Sequence, residues 1–239
     1  MVECNPLTER HVALRVQAPI ERFEAGQFIK LGLRIDGEIV GRPYSLVNHP
    51  SDMTLEFYFN VVPDGPLSGQ LAALKPGDEV LVAPRASGFL ILSEIPQARH
   101  LWMLATGTGI GPFISILKGD DVWRRFERVV LVHAVRLAAE LAYRDVVTKL
   151  EGEHPAGLVY VPLVSREPCD IALSGRIPQA VADGRLEARA GLAISAIESQ
   201  FLLCGNPDMV RDTTDALMAR GLKKHRRRDP GQISVENYW

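Results

Sequence analysis

Cysteine is scarce in this chain. There are three in 239 residues, Cys4, Cys169 and Cys204, odd in number and far apart. That pattern excludes a disulfide framework, a structural zinc site and an iron–sulfur cluster held by this chain. It also points to a reducing compartment, so a cytoplasmic location is expected. A marked excess of either charge is also lacking: 27 Lys and Arg face 29 Asp and Glu, for a formal net charge of -2. A globally basic nucleic-acid binder is thereby excluded, and one local basic run remains, Lys223-Lys224-His225-Arg226-Arg227-Arg228. No apolar run approaches the roughly 20 residues of a membrane span. The opening MVECNPLTERH has no apolar core behind a basic leader, so no secretion signal is expected. The six histidines show no ligand-like spacing, and no metal site is expected; His133, inside an apolar run, reads as a core residue.

What is present is ordinary globular material, 46% hydrophobic and 23% charged, enough for one large domain or two small ones. The two halves follow different rules. Up to about residue 94, short runs rich in β-branched and aromatic residues (HVALRVQAP, QFIKLGLRI, LEFYFNVV, DEVLVAP) alternate with turn signals such as Asp36-Gly37 and Asp64-Gly65. This predicts an antiparallel barrel or sandwich, with one short helix at SGQLAALK capped by Ser68. Only about ten residues precede HVALRV, so the barrel is expected to lack part of an edge strand. From about residue 99, apolar strands (HLWMLAT, RVVLVHA, GLVYVPLVS, FLLCGNP) alternate with helical segments (FISILKGDDVWRRF, LAAELAYRDVVTKLE, about 177–183, DMVRDTTDALMARG). Strand–helix alternation predicts a parallel α/β sheet. The boundary falls near Glu94–Ala98, at Pro96.

The segment LWMLATGTGIGPFISIL places a glycine turn between a buried strand and a helix. Gly107 and Gly109 let the backbone approach a phosphate, and the helix start offers free N–H groups. The match to G-x-G-x-x-G is incomplete, because Pro112 holds the third slot. The next strand ends in Arg136, where an NAD site would want an acid; the one after ends in Ser165-Arg166, and Arg176 follows. Each arginine alone reads equally as a solvated strand-end charge. Three of them with a serine suit an extra phosphate, which favours NADP(H) over NAD(H). In the first half, GRPYSLVN supplies Arg42, Tyr44 and Ser45: a cation, a flat ring and a donor, the types a flavin needs. On these residues alone, a strand with a core tyrosine is the simpler reading.

RPYS, GTGIGP and Cys204-Gly205-Asn206-Pro207 occur in an order that resembles the ferredoxin–NADP reductase superfamily. The closing VENYW is similar to the bacterial ferredoxin (flavodoxin)–NADP reductases, and VVPDGPLS, LAALKPGDEV, VSRE and CGNPDMVRD extend the resemblance over nearly the whole chain. It implies two domains: an N-terminal antiparallel β-barrel for FAD over residues 1–96, and a C-terminal parallel α/β domain for NADP over 97–239. Arg42, Pro43, Tyr44 and Ser45 would then bind FAD, with Tyr44 against the isoalloxazine and Ser45 near its reactive nitrogen. Tyr58, Phe59, Asn60 and Val61 would line the flavin, Pro66, Leu67 and Ser68 would approach its diphosphate, and Tyr238 and Trp239 would cover it. Thr108 would sit where nicotinamide meets flavin. Arg136, Ser165, Arg166 and Arg176 would hold the 2′-phosphate end of NADP, and Gly205, Asn206 and Asp212 would line the nucleotide cleft. Cys204 is expected near the nicotinamide, or simply as a buried strand residue, and Glu236 in a supporting catalytic role. Pro43 departs from the family pattern, in which a small residue is usual, and removes a backbone donor. The implied activity is hydride transfer between NADP(H) and FAD, coupled to one-electron exchange with ferredoxin or flavodoxin, by a monomer that binds neither nucleic acid nor membrane. The alternatives are a reductase serving an oxygenase or cytochrome, and a nucleotide-binding electron-transfer subunit without turnover.

Overall fold

Asp36 and Gly37 both take left-handed backbone (φ 51° and 86°), the geometry a two-residue hairpin turn demands. They join β3 (Phe28–Ile35) to β4 (Glu38–Ser45) in the computed structural model, which describes residues 2–237 apart from the Val2 side chain. Two compact units are present: the residues up to Ile91 with Gly111–Gly119, and Leu92–Ile110 with the residues from Asp120 onward.

The first unit holds β1 (Val2–Pro6), β2 (His11–Val16), β3, β4, β5 (Leu55–Asn60), α1 (Ser68–Ala72) and β6 (Leu81–Val82). Its strands form two antiparallel sheets, β1-β2-β5 and β4-β3-β6, and a bridge from Leu46 to Phe57 carries the end of β4 onto β5. The core between them is apolar: Leu14, Ile29, Leu31, Leu46, Phe57 and Leu71 are wholly or almost wholly buried. The expected gap in the edge is corrected by β1, which pairs with β2 from Val2↔Val16 to Pro6↔Val12. Along β1, the Cys4 thiol donates to the Ala72 carbonyl at 3.1 Å. The expected cap is corrected too: Leu67 holds the N-cap position, Ser68 is the first helical residue, and its Oγ accepts the Val62 N–H at 2.9 Å.

Helix α2 (Gly111–Leu117) is part of the same unit. Gly111, Ser115 and Gly119, spaced by four, share one face. A Cβ on Gly111 would lie 3.2 Å from Val47 and one on Gly119 only 2.8 Å from the His49 ring, while Ser115 Oγ donates to the Asn48 carbonyl at 2.6 Å. The small residues let the helix lie on this loop. The chain turns at Gly119, so the single helix expected over FISILKGDDVWRRF is two, α2 and α3 (Asp121–Arg125).

The second unit holds α3, β7 (His100–Thr106), β8 (Arg128–Val135), α4 (Arg144–Glu153), β9 (Leu158–Val164), β10 (Leu173–Ser174), α5 (Ile177–Ala182), α6 (Arg185–Ala190), β11 (Ser199–Gly205), α7 (Pro207–Met218) and β12 (Ile233–Asn237). All its strands are parallel, in the order β10-β9-β8-β7-β11-β12. Trp102 stacks on Phe201 (centroids 5.9 Å apart), and with Leu104, Val132 and Leu203 they bury one face against Ile177, Val181 and Leu217 of α5 and α7. The helix expected over LAAELAYRDVVTKLE is shorter. Tyr143 adopts φ 60°, which separates a 3-10 turn at Ala138–Glu140 from α4. The chain leaves β7 toward β8, β9 and β10 on one side and returns to β11 and β12 on the other. That reversal falls at β7, and open α/β sheets bind ligands at the carboxyl ends of the strands beside such a reversal.

Candidate functional site

The glycine turn Gly107–Ile110 follows β7 at this reversal. Gly107 has φ +52°, and a Cβ there would meet nothing within 4 Å, so its outer side is open. Gly109 is the opposite case: a Cβ would lie 2.4 Å from the Cys204 carbonyl oxygen, so only glycine lets the turn reach the end of β11. Gly205 (φ +132°) returns the approach, since a Cβ on it would meet Thr106 Oγ1 at 2.3 Å. Thr106 Oγ1 accepts the Asn206 N–H at 2.9 Å, and the Asn206 side chain caps α7 by accepting from Asp208 and Met209. On the other flank, His133 Nε2 lies 3.0 Å from the Gly107 carbonyl oxygen. Thr108, Cys204, Gly205 and Asn206 therefore gather at one strand end.

Glu236 joins them on β12, in register with Cys204. Burial pushes its carboxyl up to about 7, and Oε1 has no partner among the described residues. Asp212 is not brought into this group. It lies exposed in the second turn of α7, ion-paired with Arg211 at 2.9 Å.

The arginines stand together at the ends of β8, β9 and β10. Arg166 N–H donates to the Arg136 carbonyl (2.9 Å), Ser165 Oγ to Val135 (3.2 Å) and Gly175 N–H to Val164 (3.1 Å). These bonds stitch the loops that carry Arg136, Ser165, Arg166 and Arg176. All three arginines are exposed and make no ion pair among the described residues. Glu140, which sequence reasoning missed, accepts the backbone N–H groups of Arg136 (2.9 Å) and Leu137 (3.2 Å). An acid four residues beyond the strand-end arginine was the available signal.

In the first unit, β4 carries Arg42 exposed, Tyr44 half-buried and Ser45 buried. Tyr44 meets the Phe59 ring edge-on at 5.3 Å, and burial raises its phenol above the ordinary value while nearby Arg42 acts the other way. Pro43 faces Lys30 on a strand that β3 flanks on one side only, where a missing donor is tolerated. Tyr58 and Phe59 are buried on β5, followed by the half-buried Asn60 and Val61. The 62–68 loop is closed by Ser68 Oγ on Val62 N–H and by Gly65 N–H on the Val62 carbonyl (3.1 Å), which presents exposed Pro66, buried Leu67 and the start of α1. First-turn N–H groups have no partner within a helix, and a Cβ on Gly69 would meet nothing within 4 Å.

Residues 8–85 match the family model for an oxidoreductase FAD-binding domain, and residues 103–215 that for an oxidoreductase NAD-binding domain. The chain is 50% identical to the flavodoxin/ferredoxin–NADP reductase of Escherichia coli (strain K12) over 233 residues, 97% of this chain and 94% of that protein. The chain belongs to the flavodoxin/ferredoxin–NADP reductase family. It is also 38% identical to the ferredoxin–NADP reductase of Pseudomonas aeruginosa over 224 residues, 90% of this chain and 86% of that one. A crystal structure of a ferredoxin NADP+ reductase from Neisseria gonorrhoeae with bound FAD and NADP matches with a TM-score of 0.92 at 36% identity, covering 97% of this chain and 94% of that one.

The residues of this reductase fit the two cofactors of the family. The open backbone at Gly69 and Gly107 leaves room for phosphates, and exposed Arg42, Arg136, Arg166 and Arg176 have charge to spare for them. Tyr238 and Trp239, expected over the flavin, lie outside the described residues. No helix among the described residues is long and apolar enough to cross a membrane, and no group of three or more His, Cys, Asp or Glu among them would hold a metal ion.

The basic run folds as a turn rather than a continuous face. Arg226 and Asp229 exchange backbone hydrogen bonds (3.1 and 2.9 Å), Lys223 pairs with Asp229 at 2.6 Å, and Arg227 grips Glu94 with two bonds of 2.6 and 2.7 Å. Lys224, Arg226 and Arg228 remain exposed and outside any ion pair among the described residues.

Proposed function

We propose that this reductase moves a hydride between NADP(H) and FAD and exchanges single electrons with ferredoxin or flavodoxin, acting as a monomer in the cytoplasm. The observation that carries the NADP preference is the set of exposed arginines, outside any ion pair among the described residues, at adjacent strand ends beside the glycine turn. A guanidinium fork matches phosphate oxygens, and three of them suit a 2′-phosphate better than a bare ribose. FAD, when bound, supplies the conversion between two-electron and one-electron chemistry.

The protein's own work is binding and orientation. Arg42 and the amides at the start of α1, after Pro66 and Leu67, neutralise the flavin diphosphate. Tyr44 offers its ring to the isoalloxazine, Ser45 directs a hydroxyl at its reactive edge, and Tyr58, Phe59, Asn60 and Val61 line it. The Gly107–Gly109 backbone receives the NADP pyrophosphate. Thr108, Cys204, Gly205 and Asn206 shape the nicotinamide pocket, and Asp212, exposed on α7 and paired with Arg211, stands outside it. Arg136, Ser165, Arg166 and Arg176 hold the 2′-phosphate. Glu236, largely protonated below pH about 7, presents a carboxylic O–H as a donor at the strand end. Tyr238 and Trp239 cover the flavin face, and Lys224, Arg226 and Arg228 offer positive charge to a carrier protein with an acidic face.

The test reads the visible flavin spectrum and then dye reduction with NADPH and NADH in parallel. A flavin spectrum with a strong NADPH preference is expected. Equal rates with both nucleotides would overturn the arginine reading, and bound FAD without turnover would favour a non-catalytic subunit.

A further inference from the structure

His133 is the one histidine of the parallel sheet that sits inside a strand with its ring wholly shielded from solvent. It lies on β8, in register with Ala105 of β7, one residue before the end of that strand. Its Nε2 reaches the Gly107 carbonyl oxygen at 3.0 Å. A carbonyl oxygen only accepts, so Nε2 carries the proton and the ring is held in one tautomer. The peptide joining Gly107 to Thr108 is planar and trans. Its C=O and N–H therefore point in opposite directions. Holding the carbonyl toward β8 turns the Thr108 N–H away from β8. That N–H belongs to the first turn of a helical segment, where no intrahelical acceptor exists.

Gly107 itself has φ +52° and no side chain to fix its peptide plane. Glycine populates several backbone wells at similar cost, so the plane needs an outside restraint. On the β11 side the turn is fixed by close packing, with Gly109 against the Cys204 carbonyl and Gly205 against Thr106. On the β8 side the fixed element is a hydrogen bond. We infer that His133 is a positioning residue for NADP binding: its Nε2–H holds the Gly107 carbonyl and thereby aims the Thr108 N–H at the nucleotide. This rests on the proposed reading of the glycine turn as the NADP site. It goes beyond a packing role, because a buried apolar residue of similar size would fill the same space without setting the peptide plane.

The experiment compares the FAD-loaded wild type with His133→Gln and His133→Leu. Glutamine can place an N–H near the Nε2 position, and leucine cannot. The dissociation constant for NADP+ is read from the change it causes in the flavin spectrum, alongside thermal midpoints. Loss of one hydrogen bond at the turn predicts about five- to tenfold weaker NADP+ binding for His133→Leu. His133→Gln should return to within about twofold of wild type, whatever its thermal midpoint. Equal binding by all three proteins, or equal losses in both variants, overturns the inference. Should His133→Leu fail to fold, 15N spectra of the histidine rings in the wild type decide: an Nε2-protonated His133 supports the inference and an Nδ1-protonated one overturns it. A wild type that binds no NADP+ overturns the reading of the turn itself, and the inference with it, which separates that failure from a failure of His133 alone.

Discussion

At the scale of single residues, Glu236 has a carboxyl that the fold keeps out of water. Its value is raised to about 7 from an ordinary 4.5, and burial is the cause. The sign follows from linkage: a group whose folded value is raised adds stability below its unfolded value and loses it as pH rises through the folded one. The window here is about 4.5 to 7. Glu236→Gln cannot ionise, so it should gain on the wild type as pH rises, by at most about 3 kcal/mol at pH 8.5, and gain nothing near pH 4. Urea midpoints at the two pH values measure this, and a pH-independent difference would refute it. The arginines make a second residue-scale prediction. Arg136→Ala or Arg166→Ala should raise KM for NADPH by about tenfold or more and leave KM for NADH nearly unchanged, because only the charged contact is lost. Steady-state kinetics with both nucleotides tests the pair. The sequence offers these arginines as candidates because three recur at strand ends with a serine, although each alone reads equally as a solvated charge. It does not offer His133, since a histidine inside an apolar run looks the same whether its ring serves the core or a neighbouring turn.

At the scale of elements, the contact between the glycine turn and the end of β11 is a matter of one hydrogen atom. Gly109→Ala would put a methyl 2.4 Å from the Cys204 carbonyl oxygen. It should destabilise the second unit by about 1–3 kcal/mol and weaken NADP+ binding together. Gly107→Ala, which meets open space but strains a left-handed backbone, should cost less. Thermal midpoints and NADP+ titration of both variants check the order. Long apolar strands were legible because β7, β8 and β11 are buried on both faces and read as continuous runs. Helix limits were less so. Gly119 ends α2 because the chain must pass close to His49, and Tyr143 breaks the next helix through its own left-handed backbone. The first break is set by a neighbour far along the chain, and the second by a backbone conformation that a tyrosine rarely adopts and the local pattern does not announce. Strand β1, VECNP, is mostly polar and ends in proline, so only its pairing with β2 reveals it. Strand β12 was hidden for a related reason: ISVEN is short, and its apolar residues find their use only beside β11.

At the scale of the whole molecule, a net charge of -2 conceals a separation of roles within the basic run. Lys223 and Arg227 are committed to Asp229 and Glu94, and the second pair ties the turn to the segment following Ile91. Exposed ion pairs of this kind add little stability each, but a two-bond guanidinium–carboxylate grip fixes where the turn stands. Lys224, Arg226 and Arg228 are then free to act at long range on an approaching carrier. Opposite charges speed encounter, and salt screens them over a distance of about 10 Å at 0.1 M. Replacing these three with glutamine, and leaving Lys223 and Arg227 intact, should slow reduction of an acidic carrier protein by about tenfold or more at low salt. The deficit should shrink as salt is raised, because the wild type loses its advantage while the variant has little to lose. Reduction of a neutral dye by NADPH should match between variant and wild type at each ionic strength, since these side chains lie outside the proposed nucleotide and flavin sites. Should dye and carrier rates fall together, the turn would be supporting the enzyme's structure rather than meeting a partner.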